Sequence, residues 1–209
     1  IGGGLILNVG AYLAEKFASN LILFPTTTLS MADGSGGKVR INLITDKRAY
    51  KHYYKSFYEP DVIFVDKRFL NSLPKLQIKI GLSEIIKHSL FQSPRLYKFL
   101  LEEGENLFSD KQKLLKAIFW AAELKSVCLE IDVEENDNGS RRILRGGHNF
   151  SDRLEEDLML KIPHGFAVSI GIIKQLENEK NLDLLTKAKK IFDVFGIPKT
   201  VEEFKKMIA

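Results

Sequence analysis

The stretch LQIKIGLSEIIKHSLF, Leu76 to Phe91, decides the fold of the larger part of this chain. Its apolar residues recur at intervals of three and four positions, which brings them to one side of an α-helix. That apolar side consists of Ile78, Leu82, Ile85, Ile86 and Leu90. The other side is polar and consists of Gly81, Glu84, Lys87 and His88. A polar stripe of this kind is most often the solvent-exposed face of a helix, and a functional site is the alternative.

Helical spacing continues toward the C-terminus, in SPRLYKFLLEE, KQKLLKAIFWAAELKSVCLEI and LDLLTKAKKIFDVFG. Residues 1–66 instead alternate, with a helix predicted in LILNVGAYLAEKF and short strands in LILF, VRINLI and VIFV. Helices between strands favour an α/β layer with a largely parallel sheet. The sequence therefore predicts an α/β part over residues 1–72 and an all-helical part over residues 73–209.

Composition excludes several classes of protein. The chain has 209 residues, of which 44% are hydrophobic and 28% charged, with a net charge of +4. The charge is small and scattered and no nucleic-acid-binding motif is visible, so we expect no nucleic-acid partner. The apolar runs are too short to span a membrane. A lone Cys128 leaves no internal disulfide, which favours a soluble, cytoplasmic protein.

The start of the chain, IGGGLILN, has the form of a phosphate-binding turn. Glycines let a ligand approach the backbone, and the helix that follows offers free N–H groups to an anion. Such a turn normally follows a strand, which is missing here, so we expect the chain to be a piece of a longer protein. A purely structural turn remains an equal alternative.

The segment PTTTLSMADGSGGK, residues 25–38, reads as a loop after a strand. Ligands of α/β sheets gather where strands end, which makes Thr26, Thr27, Asp33 and Lys38 candidate ligand contacts. A solvated loop without function is the other interpretation.

His148 and His164 each stand at the predicted start of a helix, the first after a glycine pair and the second after Pro163. The positive end of the helix dipole disfavours imidazolium and keeps the ring neutral, as metal ligation requires. A capping or core histidine is the more common case. With the carboxylate of Glu84, however, the two rings could supply the three ligands of an open catalytic zinc site.

Taken in order, these motifs resemble the 3-dehydroquinate synthase family, the sugar-phosphate cyclases. They are GGG, PTT followed by AD and GGK, FYEP before VIFVD, LP before GLSEIIKH, and GGH followed by HG. The resemblance implies a partial Rossmann-like α/β NAD-binding domain, followed by an all-helical domain that binds metal and substrate. It also implies NAD and a divalent metal, zinc or cobalt, as cofactors, a phosphorylated sugar as substrate, and a homodimer. Such enzymes close a carbocycle after eliminating phosphate.

The resemblance assigns roles to individual residues. The metal ligands are Glu84, His148 and His164. The NAD contacts are Gly2, Gly3, Gly4, Asn8, Thr26, Thr27, Lys38, Lys51, Phe69 and Ser72. The catalytic and substrate-binding positions are Asp33, Lys87, Lys125, Arg141 and Arg145, with Lys87 as a cationic hydrogen-bond donor.

The chain also departs from the family pattern. Asn8 stands in place of Asp, His52 in place of Asn, Arg145 in place of Asn and Asp152 in place of a second His. The loop DGSGGK is one residue shorter than usual, and the family's substrate-binding arginine has no counterpart around residues 17–20. Arg145 offers a new bidentate contact for an anion, whereas Asp152 would repel phosphate. These changes predict a different substrate from that of dehydroquinate synthases. The resemblance extends to cyclitol-forming relatives that use sedoheptulose 7-phosphate or glucose 6-phosphate, and we expect a sugar of the sedoheptulose 7-phosphate type.

Two other functions remain open. A metal-dependent polyol dehydrogenase of the glycerol type shares the two-part plan, the glycine turn and the PTT segment. A non-catalytic descendant that binds NAD or metal would account for Asn8 and the missing arginine. The GGK after AD favours the cyclase.

Overall fold

The structure is a computed structural model that describes residues 1–34, 37–131 and 143–208. Arg141 therefore lies outside the described residues. The α-helices in those ranges are α1 (Gly4–Lys16), α2 (Thr28–Asp33), α3 (Lys75–Phe91), α4 (Pro94–Glu103), α5 (Asn106–Ser109), α6 (Lys111–Ile131), α7 (His148–Asp157), α8 (His164–Asn178), α9 (Leu182–Phe195) and α10 (Val201–Ile208). The strands are β1 (Ile22–Leu23), β2 (Lys38–Ile44), β3 (Ala49–Phe57) and β4 (Val62–Ile63), and a 3₁₀ turn spans Lys67–Leu70.

The strands form two separate pairs. β1 and β4 are parallel, while β2 and β3 form a longer antiparallel hairpin. The expectation of a largely parallel sheet is therefore wrong for the described residues, and β3 was missed altogether. The reason is the tight turn at residues 45–48, where Thr45 and Arg48 exchange hydrogen bonds and return the chain directly, without a crossover helix.

A small apolar core holds α1 against the strands. Its buried members are Leu7, Ala11, Ala14, Leu21, Leu23 and Val39. Polar contacts fix the same packing, since Tyr54 of β3 donates to the Glu15 carboxylate of α1 over 3.0 Å. The predicted helix after the glycines is confirmed.

The segment after PTT is helical rather than a loop, so that part of the expectation is wrong. The Thr27 hydroxyl accepts a hydrogen bond from the Ser30 N–H, and the Ser30 hydroxyl accepts one from the Thr27 N–H. This reciprocal cap starts α2. Met31 and Ala32 of α2 are buried in the core of the helical part, so α2 packs against α3 rather than against the strands.

The helical part is built around α3, which packs against α2, α4, α6, α8 and α9. Surrounded in this way, α3 is buried on both sides, including Glu84 and His88, which have 0% exposure. The interpretation of its polar stripe as a solvent-exposed face is therefore wrong. The described residues 75–131 and 143–208 contain helices and no strand, as predicted. No helix in the described parts of the chain is long and apolar enough to cross a membrane.

Candidate metal centre

Three separate helices place the residues of the centre. Glu84 lies in the middle of α3, whereas His148 and His164 are the first residues of α7 and α8, as the sequence predicted. Gly147, just before His148, has a φ of 78°, and a Cβ there would lie 2.6 Å from the Ile172 N atom. Only glycine fits this left-handed, crowded position, and it brings the start of α7 against α8.

The three side chains converge on one point. His148 Nε2 lies 3.6 Å and His164 Nε2 3.3 Å from Glu84 Oε1, and potential ligand atoms of all three groups lie within 4.8 Å of one another. Glu84 is fully buried, yet neither of its carboxylate oxygens has a well-directed hydrogen bond from the described residues. A buried carboxylate is costly unless cations compensate it. Lys87 does so at Oε2, whereas Oε1 faces the two histidine rings. The donor set therefore fits a divalent metal ion such as zinc.

The tautomers of the two histidines suit the same role. The Nδ1–H of His148 donates to the Gly146 carbonyl over 3.2 Å, and His164 Nδ1 lies 2.7 Å from Glu155 Oε1. An acceptor on Nδ1 makes Nε2 the nitrogen of each ring that a metal ion would bind. In both rings it is Nε2 that faces Glu84.

Lys87 is the cation nearest to Glu84. Its Nζ lies 2.5 Å from Glu84 Oε2 and donates to the Leu144 carbonyl over 2.8 Å. Burial by itself would raise the pKa of Glu84, but Lys87 and the two histidines outweigh burial and hold that pKa well below its ordinary value. Glu84 is thus ionised, as ligation requires.

The two rings differ in their protonation. Burial lowers the pKa of His148 to about 3, so this ring is neutral at pH 7. Burial also opposes the charged form of His164, but the neighbouring carboxylates of Glu155 and Glu84 raise its pKa to about 9. In the metal-free chain the two carboxylates outweigh the helix end at His164, and a metal ion bound at Nε2 would take the place of that proton.

Lys51 lies beside this centre, although the resemblance placed it among the NAD contacts. Its Nζ is 2.7 Å from Asp152 Oδ1, 2.5 Å from Glu155 Oε1 and 3.2 Å from His164 Nδ1. Asp152 is thus compensated by a lysine, and by Arg145 at 3.4 Å. The sequence reasoning missed Glu155. A signal was present, since His148 and Glu155 are seven positions apart in one helix and therefore share a face.

A second group of predicted residues adjoins Glu84. Asp33, at the end of α2, lies 3.0 Å from Lys125 Nζ of α6. Burial would raise the pKa of Asp33, but Lys125 outweighs this and lowers it. Asp33, Glu84 and His88 also offer ligand atoms within 4.8 Å of one another. The structure therefore brings the predicted Asp33 and Lys87 close to Glu84, and it pairs Lys125 with Asp33.

Arg145 lies at the rim of a cleft of about 540 Å³. The cleft is lined by Arg48, Arg145, Asn149, Asp152, Arg153, Glu156 and Asp157. The Arg145 side chain, which is 35% exposed, is one of these lining residues and carries five N–H donors.

The glycine turn and PTT lie side by side. The Gly2 N–H donates to the Phe24 carbonyl and the Thr26 N–H to the Gly2 carbonyl, and a Cβ on Gly3 would lie 3.1 Å from Thr27. No side chain in the described part of the chain caps α1, whose first helical residue is Gly4.

The other predicted NAD contacts are more dispersed. Asn8 donates to the Gly4 carbonyl over 2.9 Å and accepts from the Arg40 N–H over 2.7 Å, which ties α1 to β2. Lys38 begins β2. Phe69 lies in the 3₁₀ turn and packs against the larger core, and Ser72 is exposed just after it.

The chain has a partial Rossmann-like α/β layer, followed by a helical part in which Glu84, His148 and His164 form the candidate metal centre. This combination defines the dehydroquinate synthase-like class of fold. Residues 1–80 match the family model described as 3-dehydroquinate synthase N-terminal, and residues 81–207 match the 3-dehydroquinate synthase C-terminal model. The chain belongs to the 3-dehydroquinate synthase family.

Curated relatives agree with this. The 3-dehydroquinate synthase of Chlamydia felis is 34% identical over 217 residues, which cover 100% of this chain and 56% of that protein. The 3-dehydroquinate synthase of Saccharolobus solfataricus is 31% identical over 185 residues, covering 87% of this chain and 51% of that protein. The chain spans about half the length of the curated relatives it matches.

Solved structures show the same fold. One is a 2-epi-5-epi-valiolone synthase from Streptomyces hygroscopicus with NAD+ and Zn2+ bound, with a TM-score of 0.84 and 23% identity over 97% of this chain and 57% of that chain. Another is a 2-deoxy-scyllo-inosose synthase complexed with carbaglucose-6-phosphate, NAD+ and Co2+. Its TM-score is 0.79 and its identity 26%, over 96% of this chain and 56% of that chain.

Proposed function

We propose that the protein containing this chain is a metal- and NAD-dependent sugar-phosphate cyclase, a carbon–oxygen lyase that eliminates phosphate and closes a carbocycle. The observation that carries the proposal is the convergence of His148 and His164 on the buried Glu84, beside the buried Lys87. Two similar proteins with solved structures are cyclitol-forming synthases, and the curated relatives are 3-dehydroquinate synthases.

Glu84, His148 and His164 would hold a zinc or cobalt ion. When bound, such an ion lowers the pKa of substrate hydroxyls and stabilises developing alkoxide and enolate charge. Lys87, fixed between Glu84 and the Leu144 carbonyl, adds a cationic donor within the same buried space. Low local polarity strengthens both effects.

Gly2, Gly3, Gly4, Thr26 and Thr27 would receive NAD. The fit rests on the start of α1, which lacks a side-chain cap among the described residues and therefore offers its N–H groups to a pyrophosphate. When bound, NAD would supply the oxidation of one substrate hydroxyl and would be regenerated when the resulting ketone is reduced again. Asn8 and Lys38, with Phe69 and Ser72, complete the proposed cofactor contacts.

Asp33, Lys125 and Arg145 would contact the substrate. Asp33 and Lys125 are paired next to Glu84, so they can exchange hydrogen bonds with sugar hydroxyls without adding net charge. Arg145, which is 35% exposed and lines the cleft, would offer guanidinium donors to a phosphate. Arg141, which lies outside the described residues, is proposed for the same role. Because His52, Arg145 and Asp152 replace family residues, we favour a sedoheptulose 7-phosphate-type substrate.

The full-length protein, supplied with NAD and zinc, should release inorganic phosphate from a seven-carbon sugar phosphate without net accumulation of NADH. Glu84→Ala and His164→Ala should abolish the release, because each removes one of three metal ligands. A phosphate assay with and without chelator measures this. Turnover that is unchanged in a metal-free preparation would contradict the proposal.

We also expect a homodimer, which the family resemblance implies and size-exclusion chromatography can test.

The fold is also shared with a glycerol dehydrogenase from Schizosaccharomyces pombe, at a TM-score of 0.59 and 18% identity over 97% of this chain and 59% of that chain. Net NADH formation with glycerol would favour a polyol dehydrogenase. Tight binding of NAD and zinc without turnover on any sugar phosphate or polyol would favour a non-catalytic descendant.

A further inference from the structure

We infer that Glu155 is a positioning residue of the metal centre. Its carboxylate accepts the Nδ1–H of His164, so that Nε2 of the same ring is presented to the ion. Lys51 in turn holds Glu155 in place. The inference rests on the proposed function insofar as that function requires a metal at Glu84, His148 and His164.

The first support is the geometry of the His164 ring. Its two nitrogens face two different carboxylates, Nδ1 at 2.7 Å from Glu155 Oε1 and Nε2 at 3.3 Å from Glu84 Oε1. Both carboxylates are nearly sealed from solvent, with side-chain exposures of 7% and 0%. A carboxylate behind a metal-binding imidazole fixes the tautomer and makes the ring a better ligand.

The second support is the direction of the hydrogen bond. Lys51 Nζ lies near His164 Nδ1 as well, at 3.2 Å, and would donate to an unprotonated Nδ1. Glu155 would then have to carry a proton in order to contact Nδ1, although it lies 2.5 Å from the Lys51 ammonium. An adjacent cation favours the ionised carboxylate. The consistent arrangement is therefore an Nδ1–H that donates to an ionised Glu155.

The third support is the anchoring of Glu155 from outside its own helix. Lys51 belongs to β3 and reaches α7 twice, through its ammonium to Asp152 and Glu155 and through its backbone N–H to Glu156 Oε1 at 2.8 Å. Three charged groups of α7 thus converge on one residue of the hairpin. This contact orders the Glu155 carboxylate in one rotamer, which a solvated glutamate would not keep.

His148 has a simpler support. Its Nδ1–H donates to the Gly146 backbone carbonyl, which substitution of side chains leaves in place. Removal of Glu155 should therefore affect one of the two histidine ligands and weaken metal binding without abolishing it. Loss of an outer partner of this kind typically weakens metal affinity by about 10- to 100-fold.

The experiment compares Co2+ binding to the metal-free 209-residue chain and to three variants, by calorimetry and by the visible absorption of the bound ion. Glu155→Ala should weaken Co2+ affinity by about 10- to 100-fold and shift the absorption bands, and Glu155→Gln, which can still accept the N–H, should recover part of the loss. Glu156→Ala is the matched control, because Glu156 also anchors Lys51 but does not touch His164 in the structure. Its affinity and spectrum should match those of the unchanged chain.

Equal Co2+ affinities for Glu155→Ala and Glu156→Ala would overturn the inference and leave the metal centre itself intact. If Glu155→Ala does not fold, as judged by circular dichroism, the isosteric Glu155→Gln decides, and an affinity and spectrum identical to the unchanged chain overturn the inference. Absence of Co2+ binding by the unchanged chain would instead overturn the proposed function, and the inference with it.

Discussion

At the scale of single residues, the chemistry of this chain depends on buried charges that come in compensated sets. Glu84 lies between Lys87 and two histidines, Asp33 lies against Lys125, and Lys51 lies among carboxylates of α7. Buried pairs of this kind add little net stability, but the loss of one partner is costly, because the other charge remains in a medium of low polarity.

Glu84→Gln should therefore destabilise the metal-free chain. The substitution keeps the size of the side chain and leaves the buried Lys87 ammonium without its carboxylate, which predicts a loss of about 3 kcal/mol in the free energy of unfolding. Urea denaturation measures it. Glu102→Gln is the matched control, because Glu102 lies 3.6 Å from Lys98 in an exposed pair, where less than about 1 kcal/mol is expected. Equal effects of the two substitutions would contradict the prediction.

Because His88 is buried, we expect the free energy of unfolding to depend on pH. Burial, followed by the nearby Lys87, lowers its pKa to about 4 from an ordinary value of 6.5. The unfolded chain therefore binds a proton at higher pH than the folded chain does, and the stability contributed by the neutral ring is lost as pH falls from 6.5 toward 4.

His88→Gln should flatten this dependence in the metal-free chain. Between pH 7 and pH 4.5 the unchanged chain should lose about 2 kcal/mol more of its free energy of unfolding than the variant does. Urea denaturation of both proteins at the two pH values measures this. The quantity compared is the change in free energy of unfolding between pH 7 and pH 4.5. The same change in free energy of unfolding in both proteins would show that His88 does not titrate as its burial implies.

At the scale of elements, close approaches between helices position the ligands. A Cβ on Gly165 would overlap the Ile80 carbonyl oxygen, and one on Gly81 would lie 2.5 Å from the Leu29 N atom. α8 and α2 thus pack against the α3 backbone at glycines. Because Gly165 follows His164 directly, the approach of α8 to α3 also sets the position of that ring.

Gly165→Ala should destabilise the chain by about 1 to 3 kcal/mol, although alanine is the better helix former, because the added methyl overpacks the α3–α8 contact. It should also weaken Co2+ binding by displacing His164. Gly10→Ala is the matched control, since a Cβ there meets no atom within 4 Å. Helix propensity then predicts a gain of up to about 1 kcal/mol. Thermal unfolding tests whether Gly165→Ala lowers the stability while Gly10→Ala raises it. A Gly165→Ala variant more stable than the unchanged chain would refute the packing argument.

At the scale of the whole molecule, the β2–β3 hairpin and the helical part meet at Lys51. The hairpin has its own ladder, with Leu43 paired to Tyr50 and Ile44 to Ala49 near its turn, and Lys51 follows directly. The contact to Asp152, Glu155 and Glu156 of α7 therefore joins a strand of the α/β part to the helix that begins with His148.

Lys51→Met should loosen this junction. Amide hydrogen exchange should become faster in the hairpin and in α7, because the Lys51 ammonium that links them to Asp152 and Glu155 is gone. Lys55→Met, an exposed lysine on the same strand, should leave exchange unchanged. Exchange followed by mass spectrometry resolves both segments. Equal protection in the two variants would argue against a junction at Lys51.

Much of the helical part was predictable because helices obey local rules. The bounds of α3, α6 and α9 follow from apolar spacing, and the two histidines were correctly placed at helix starts by the glycine and proline before them. The same rules failed for the polar stripe of α3. Spacing shows that Glu84 and His88 share a face, but whether that face meets water depends on α2 and α6, which come from distant parts of the chain.

By itself, the sequence determined most of the long helices, because apolar spacing within each helix is a local pattern, and the order of its motifs carried the family resemblance that named Glu84, His148 and His164 as ligands. The tertiary structure alone decided that β2 and β3 form a hairpin, that α3 is buried on both sides, and that Lys51 and Glu155 support His164. The contact between Lys51 and Glu155, for example, joins residues 104 positions apart. The physical reason is that such pairings arise from packing and charge compensation in the folded chain, which local spacing does not encode.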